Sequence, residues 1–524
     1  MSGIGEEGTP VKRTRGRTTA RNAGFVFIQT GLPPMLNILL LPILVIKLGD
    51  EAYGLFATLT SVFVFSTLFD AGLSKAVVRF VAAFKAKDEV ESISRFVSTA
   101  FTIYLGIGVI VLAWTVLFAF FGLDLINTPD NLKDEGFLAC LVFGVMGLYN
   151  FPAGTLGGVM GGIKRHDAES GLHVTVAITS AGGQAIVALL GGGVLWVVVA
   201  ALSPQIIKPW VRLVLLRRFL PGFRLSPRLY TRSMLRQIGG YSSWSFLVDS
   251  GRRVTESLDP VIIAAFIGLT TVTPYNVGLQ VGRLLQRLSM PVAFVLLPVA
   301  SELQAHGDKT SLQRLMVRAT RYTTGIAIGL AGPLIIMADE IVRVWLQSDY
   351  PLAVDVARIF LCASVILMIR APIMMILESS TTGVRKAGVW TGIETVLNIA
   401  LSLSLLQVMG AHGVILSTVI AVATCTAVGI LPAALKEIDM KASDWARKSV
   451  VPVIRPLAIA VPIWLLISWL VSGAGLVLVL AALVACFAAF FVPFWLTLPA
   501  NERADLRPGK IGRRRAGAPA QKPG

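Results

Sequence analysis

The chain has 524 residues, 55% of them hydrophobic and only 15% charged, with a formal net charge of +17. Charge so far below the roughly one quarter of a soluble domain, with repeated apolar runs of about 20 residues or more, excludes a soluble globular protein. It also excludes a nucleic-acid-binding role for the basic residues, which sit between the runs and in the tails, where anionic phospholipids are the matching partner.

Residues 1–21 form a basic Gly/Thr/Arg-rich tail expected to be disordered. The first predicted span, about 22–47, lacks a small-residue cleavage site and is expected to be retained. Pro33 and Pro34 remove backbone hydrogen bonds inside it, so a hinge is expected there. Span 2 is expected as one long helix over about 52–82, span 3 over 96–121 and span 4 over 136–162. Span 4 ends in Gly154, Gly157, Gly158, Gly161 and Gly162, overlapping GxxxG pairs that predict a close-packing face. Spans 5 (170–191) and 6 (194–216) complete an N-lobe, 22–216. Lys208 and Arg212 near the end of span 6 are read as snorkelling to the interface.

Over 217–240, Arg228, Arg232 and Arg236 recur every four residues behind the helix-start pair Ser226-Pro227. That pattern predicts a basic interfacial helix on an anionic membrane surface. A C-lobe, 241–435, follows with spans 7 (241–267), 8 (273–303), 9 (317–338), 10 (352–378), 11 (387–408) and 12 (412–435). A basic linker, 436–455, leads to spans 13 and 14 within 456–498, and 499–524 is a second basic tail expected to be disordered.

The expected architecture is an all-α polytopic membrane protein of about 14 transmembrane helices, two pseudo-symmetric six-helix lobes plus two C-terminal helices. Lys and Arg outside the spans alternate between loops. Nearly all fall on the side shared with both termini, and the other side holds only Lys47, Lys133 and Arg343. That bias places both termini in the cytoplasm. A faint repeat supports two lobes: Pro42, an apolar run, Gly49 and Tyr53 in one, and Pro260, an apolar run, Gly268 and Tyr275 in the other.

Charge lies where hydrocarbon is expected. Asp249, Arg252, Glu256 and Asp259 share one stripe of span 7 at spacings of three and four, with Arg253 beside them. At about 2.5–3.5 kcal/mol per charge at a helix centre, the stripe must face water, a partner or a substrate. Span 8 adds Asn276, Gln280, Arg283 and Arg287. Arg252, Arg253, Arg283 and Arg287 are candidates to bind an anionic group, because the guanidinium fork suits phosphate, with Asn276 and Gln280 as polar lining. Asp70 deep in span 2, Asp249, Glu256, Asp259, Arg370 and Glu394 are candidates for gating or ion coupling, and Pro33, Pro34 and Pro260 for hinges. The alternative for the whole set is structural ion pairing.

Catalytic residues, cofactors and a metal site are not expected. The four histidines form no HExxH, no phosphate-cradling GxxxxGK[ST] occurs, and Cys140, Cys362, Cys425 and Cys486 are isolated in apolar runs.

In Leu48-Gly49, Tyr53-Gly54-Leu55-Phe56, Phe69-Asp70-Ala71-Gly72-Leu73 and Arg79, the chain resembles the polysaccharide exporter (Wzx-type O-antigen flippase) family. That family belongs to the multidrug/oligosaccharidyl-lipid/polysaccharide exporter superfamily. Asp259, Phe266-Ile267-Gly268, Tyr275-Asn276-Val277-Gly278, the helix to Pro298 and Gly410-Ala411-His412-Gly413 extend the resemblance over about 22–436. It implies a non-enzymatic flippase of O-antigen, capsule or exopolysaccharide biosynthesis. Its cargo would be a polyprenyl-diphosphate-linked oligosaccharide, moved to the outer leaflet by alternating access, with a polysaccharide polymerase complex as a partner. The same superfamily contains multidrug/cation antiporters, whose acid-dominated cavities differ from the arginines here. A membrane glycan polymerase or ligase is the enzymatic alternative, but the chain carries no long outer loop.

Overall fold

The computed structural model describes residues 31–70, 73–231, 234, 243–287, 290–498 and 502–503. Every regular element among them is helical. The first part comprises α1 (Gly31–Leu48), α2 (Asp50–Phe65), α3 (Leu73–Lys85), α4 (Val90–Leu117), α5 (Asp130–Gly162), α6 (His166–Leu189), α7 (Val194–Leu202) and α8 (Ile207–Phe219). The next part comprises α9 (Ser243–Phe266), α10 (Leu269–Arg287), α11 (Met290–Ala305), α12 (Lys309–Ile336), α13 (Ala338–Leu346), α14 (Pro351–Glu378), α15 (Thr381–Met409) and α16 (Ala411–Cys425). α17 (Leu431–Glu437), α18 (Ala442–Ser449), α19 (Leu457–Leu470) and α20 (Leu476–Thr497) close the series.

The protein is a multi-pass membrane protein. Among the described residues, 11 helical stretches are long and apolar enough to span a bilayer, or 12 if α12 and α13, bent by 69°, form one broken span. The expected fourteen are not reached on this measure. The shortfall is at spans 7 and 8, which are helical as α9, α10 and α11: α9 carries five charges, α10 is too polar, and α11 has only 16 residues.

Three further expectations are corrected. Span 2 is not one helix: α2 gives way to a 3-10 turn at Ser66–Asp70 before α3. Ser66 and Thr67 donate to the carbonyls of Phe63 and Val64 at 2.5 and 2.7 Å, a local hydrogen bonding that competes with helix continuation. The basic stretch after α8 is not a helix over Leu220–Thr231, but turn and extended chain with one 3-10 turn at Pro227–Leu229. Hydroxyls of α4 take its backbone instead: the amides of Arg224, Ser226 and Thr231 donate to Ser94, Ser98 and Thr99 at 3.1–3.2 Å. Arg232 and Arg236 lie outside the described residues. Finally, within the expected C-terminal tail Glu502 and Arg503 are helical and Glu502 is buried. The tail 1–21 lies outside the described residues. So does any hinge preceding Pro33 and Pro34, which stand at the start of the described part of α1.

Packing divides the chain into two compact units, Met1–Gln280 with Thr391–Ser417 and Val281–Trp390 with Thr418–Gly524. α9 and the start of α10 group with α1–α8 because α9 packs against α2. In the first unit, the GxxxG face of α5 meets α3. A Cβ on Gly158 would lie 2.7 Å from Val77, and one on Gly162 2.7 Å from Val81. Those valines open a buried cluster with Ile93, Phe96, Met160, Leu216 and Leu220. In the second unit, Gly325, Gly329 and Gly332 of α12 receive the rings of Phe494, Phe490 and Trp464, and the Trp464 indole donates to the Cys486 carbonyl at 2.7 Å. Such small-residue seams suit lipid, where close packing rather than water exclusion holds helices together. They dock α19 and α20 on α12.

Candidate functional site

Two tight turns in the first unit organise the site. α1 turns into α2 through Gly49 at φ 80°, and α9 turns into α10 through Gly268 at φ 129°. Both are backbone conformations that a Cβ disfavours, which is why glycine stands at the matching point of both repeats. The turns bring α2 and α10 together at their first residues. A Cβ on Gly54 would lie 2.1 Å from the Leu269 carbonyl oxygen, so the two backbones are in contact there.

Around that contact the polar groups interlock. The Thr273 hydroxyl donates to the Asp50 carbonyl at 2.6 Å, and the Asn276 amide donates to the Tyr53 hydroxyl at 3.1 Å. The Tyr275 hydroxyl donates to Asp259 at 2.7 Å. Tyr53, Asp259, Thr273, Tyr275 and Asn276 are all buried. Asn127 adds a bond to the Ala265 carbonyl at 3.0 Å, near the end of α9. Burial makes these bonds consequential, because an unmade bond here leaves a desolvated polar group. Pro260 lies inside α9 next to Asp259 and is buried.

A second network surrounds the break between α2 and α3. Asp70 accepts from Tyr104 of α4 and, at 2.9 Å, from Ser74. Arg253 of α9 reaches the same turn, donating to the Thr67 hydroxyl at 2.9 Å, and its guanidinium remains exposed. The break therefore sets a carboxylate and a guanidinium on one irregular turn, where backbone free of helix bonding needs polar neighbours.

A third feature is a buried polar stripe on α15. Thr391, the adjacent pair Glu394 and Thr395, Asn398 and Ser402 follow one another at helical spacing, on one face, and all are buried. Asn398 donates to Ser417 of α16 at 3.2 Å, and Ser402 and Ser417 are 2.6 Å apart. α9 closes on this stripe through Gly251, where a Cβ would lie 2.7 Å from the Thr395 hydroxyl.

The structure thus brings Asp259 and Asn276 into one interlock, and places Asp70 and Arg253 at the helix break. Glu394 lies in the α15 stripe, and Gln280 is half-buried on α10. Arg283 and Arg370 belong to the second unit, half-buried and buried respectively, and both have interaction partners. The side chains of Asp249, Arg252, Glu256 and Arg287 lie outside the described residues.

Sequence reasoning missed Thr273 and Tyr104, which carry no charge to mark them. It also misread Arg212, which does not snorkel. Arg212 is buried in an ion pair with Glu169, which also meets His173 at 3.0 Å. Gly157 makes room for the guanidinium: a Cβ there would stand 3.1 Å from its central carbon.

Comparison with known proteins places this geometry. A family model described as polysaccharide biosynthesis protein matches residues 19–304. The chain is 21% identical over 321 residues to the uncharacterized membrane protein EpsK of Bacillus subtilis strain 168, covering 61% of this chain. The match spans less than two thirds of that relative, 63% of its length. An inward-facing multidrug resistance MATE family transporter of the MOP superfamily superposes with a TM-score of 0.63 at 13% identity, over 80% of this chain and 96% of that one. The lipid II flippase MurJ, in an inward closed conformation, superposes with a TM-score of 0.62 at 15% identity, over 89% and 98%. The fold is therefore that of these transporters.

Proposed function

The chain belongs to the polysaccharide biosynthesis protein family, and on that premise we propose that it is a flippase for a polyprenyl-diphosphate-linked oligosaccharide. It carries its cargo from the cytoplasmic to the outer leaflet of a bacterial plasma membrane, with both termini cytoplasmic. The observation that carries this reading is Arg253: an exposed guanidinium on a helix of a membrane transporter fold, held at the break between α2 and α3 by Thr67. Charge at such a position is retained for an anionic cargo or a water-filled path.

Arg253, with Arg252 beside it on α9, binds the diphosphate, and Asn276 and Gln280 line the sugar path. The prenyl tail stays in lipid. The interlock at Gly49 and Gly268 stands at the end that the basic-residue bias assigns to the outside, and acts as the outer gate. Its bonds from Thr273 and Asn276 to Asp50 and Tyr53 hold that end closed while cargo loads from the cytoplasmic leaflet. Ion binding at Asp70 or Glu394 shifts the balance between states, since a ligand moves an equilibrium only by binding one state better. A polysaccharide polymerase receives the flipped product.

The test is leaflet-resolved measurement of lipid-linked glycan in a strain lacking the gene. Glycan accumulates on the cytoplasmic side, and wild-type protein clears it while membrane-inserted Arg253→Ala does not. Full complementation by Arg253→Ala refutes the anion site. Drug sensitivity with no glycan phenotype refutes the flippase in favour of an antiporter, and flipped but unpolymerised glycan refutes it in favour of a polymerase.

A further inference from the structure

The first part of α12 carries Arg314, Arg318 and Arg321, spaced four and three apart and so on one stripe. Arg321 is buried, 9% exposed. Its Nε and Nη2 donate to the Lys448 carbonyl at the end of α18, at 3.1 and 2.6 Å. Its remaining nitrogen, Nη1, faces both oxygens of Glu502 at 3.1 and 3.0 Å. Tyr322 donates its hydroxyl to the same carboxylate at 3.0 Å, and Arg318 Nε stands 3.5 Å away. Glu502 is itself buried, 5% exposed. Two guanidiniums and a phenol thus converge on one anion.

Glu502 is not part of a membrane-crossing helix: α20 ends at Thr497, and the carboxylate is carried by the chain beyond it. The sequence after it is strongly basic, with Arg503, Arg507, Lys510, Arg513, Arg514, Arg515 and Lys522 against Asp505. An anionic membrane surface attracts such a segment. The pocket also keeps an excess of one positive charge with Glu502 in place, and the Arg318 side chain is 45% exposed, leaving a way in. The basic-residue bias puts this end of α12 at the cytoplasmic interface, at the depth of lipid phosphates.

We propose that Arg318, Arg321 and Tyr322 form a phosphate-binding site, filled here by the protein's own Glu502 and opened to the phosphate of an anionic lipid headgroup when Glu502 withdraws. Arginine suits the exchange because its guanidinium keeps its charge and donates charge-assisted hydrogen bonds to carboxylate and phosphate oxygens alike. The surface that pulls on the basic segment also supplies the competing ligand. The site is separate from the groups assigned to cargo and does not depend on that assignment.

Native mass spectrometry of the purified full-length protein, titrated with dioleoyl phosphatidylglycerol, tests this. E502Q removes the internal competitor and raises the apparent lipid affinity by about tenfold, the scale set by losing a tethered rival. Adding R318Q and R321Q to E502Q abolishes the gain. Equal binding by wild type and E502Q, or a gain that survives the arginine changes, overturns the proposal. Inorganic phosphate that displaces the lipid at equal concentration overturns the headgroup assignment and leaves a small-anion site. If E502Q does not fold, the wild-type protein still decides. Saturating phosphatidylglycerol speeds tryptic cleavage after Arg503 if Glu502 is displaced, and unchanged cleavage overturns the exchange.

Discussion

Gly54→Ala isolates the outer interlock. The new methyl would sit 2.1 Å from the Leu269 carbonyl oxygen, and the obstacle is backbone. Relief requires α2 and α10 to part by about 1 Å, because packed backbones cannot absorb the overlap in place. The bond from Thr273 to Asp50, now 2.6 Å, and that from Asn276 to Tyr53, now 3.1 Å, then pass beyond hydrogen-bond reach. At about 0.5–1.5 kcal/mol net per bond, the closed arrangement loses about 1–3 kcal/mol, a shift of roughly 5- to 150-fold toward opening. The readout is Val277→Cys, at a position 0% exposed on α10, in a background lacking Cys140, Cys362, Cys425 and Cys486. A membrane-impermeant maleimide applied from outside labels it faster by that factor when Gly54→Ala is added. Thr273→Val, which removes one bond, gives the smaller part of the effect. Unchanged labelling in a Gly54→Ala protein of normal thermal stability refutes the view that this contact holds the end closed.

Other expectations follow from the same structure. Glu169→Ala strands the buried Arg212 guanidinium and costs about 3–5 kcal/mol, read as a lowered melting temperature in detergent; adding Arg212→Met restores much of the loss. Gly329→Leu drives a side chain into Phe490 and Phe491. It costs about 1–3 kcal/mol by overpacking, detected as faster proteolysis between α19 and α20. Tyr104→Phe removes a donor from Asp70 while keeping the ring. It lowers glycan export without changing protein abundance; unchanged export removes the Tyr104–Asp70 contact from the transport cycle.

Much of this molecule is legible along the chain. Apolar runs of bilayer length mark the spans, since nothing else in a sequence produces them. Gly49 and Gly268 mark the turns because only glycine takes those backbone angles without strain, and Asp259 and Asn276 stand out as polar groups in apolar surroundings. The same cues failed where the signal was weak or distant. The helix break at Ser66–Asp70 interrupts no hydrophobic run, because serine and threonine satisfy the freed backbone locally. Thr273 carries no charge, and its importance rests on a carbonyl 223 residues away.

The sequence by itself determined that the chain is a bundle of membrane-crossing helices, where its tight turns lie, and that charge sits at depth in α9. Composition and spacing carry those facts because they follow from the solvent that each segment must face. Only the tertiary structure decided which charges are already answered. Arg212 finds Glu169 43 residues earlier, and Arg321 finds Glu502 181 residues later. Arg253 meets a hydroxyl of the broken turn, its one partner among the described residues, and stays exposed. A buried charge needs a partner within a few ångströms of space, and distance along the chain says nothing about that.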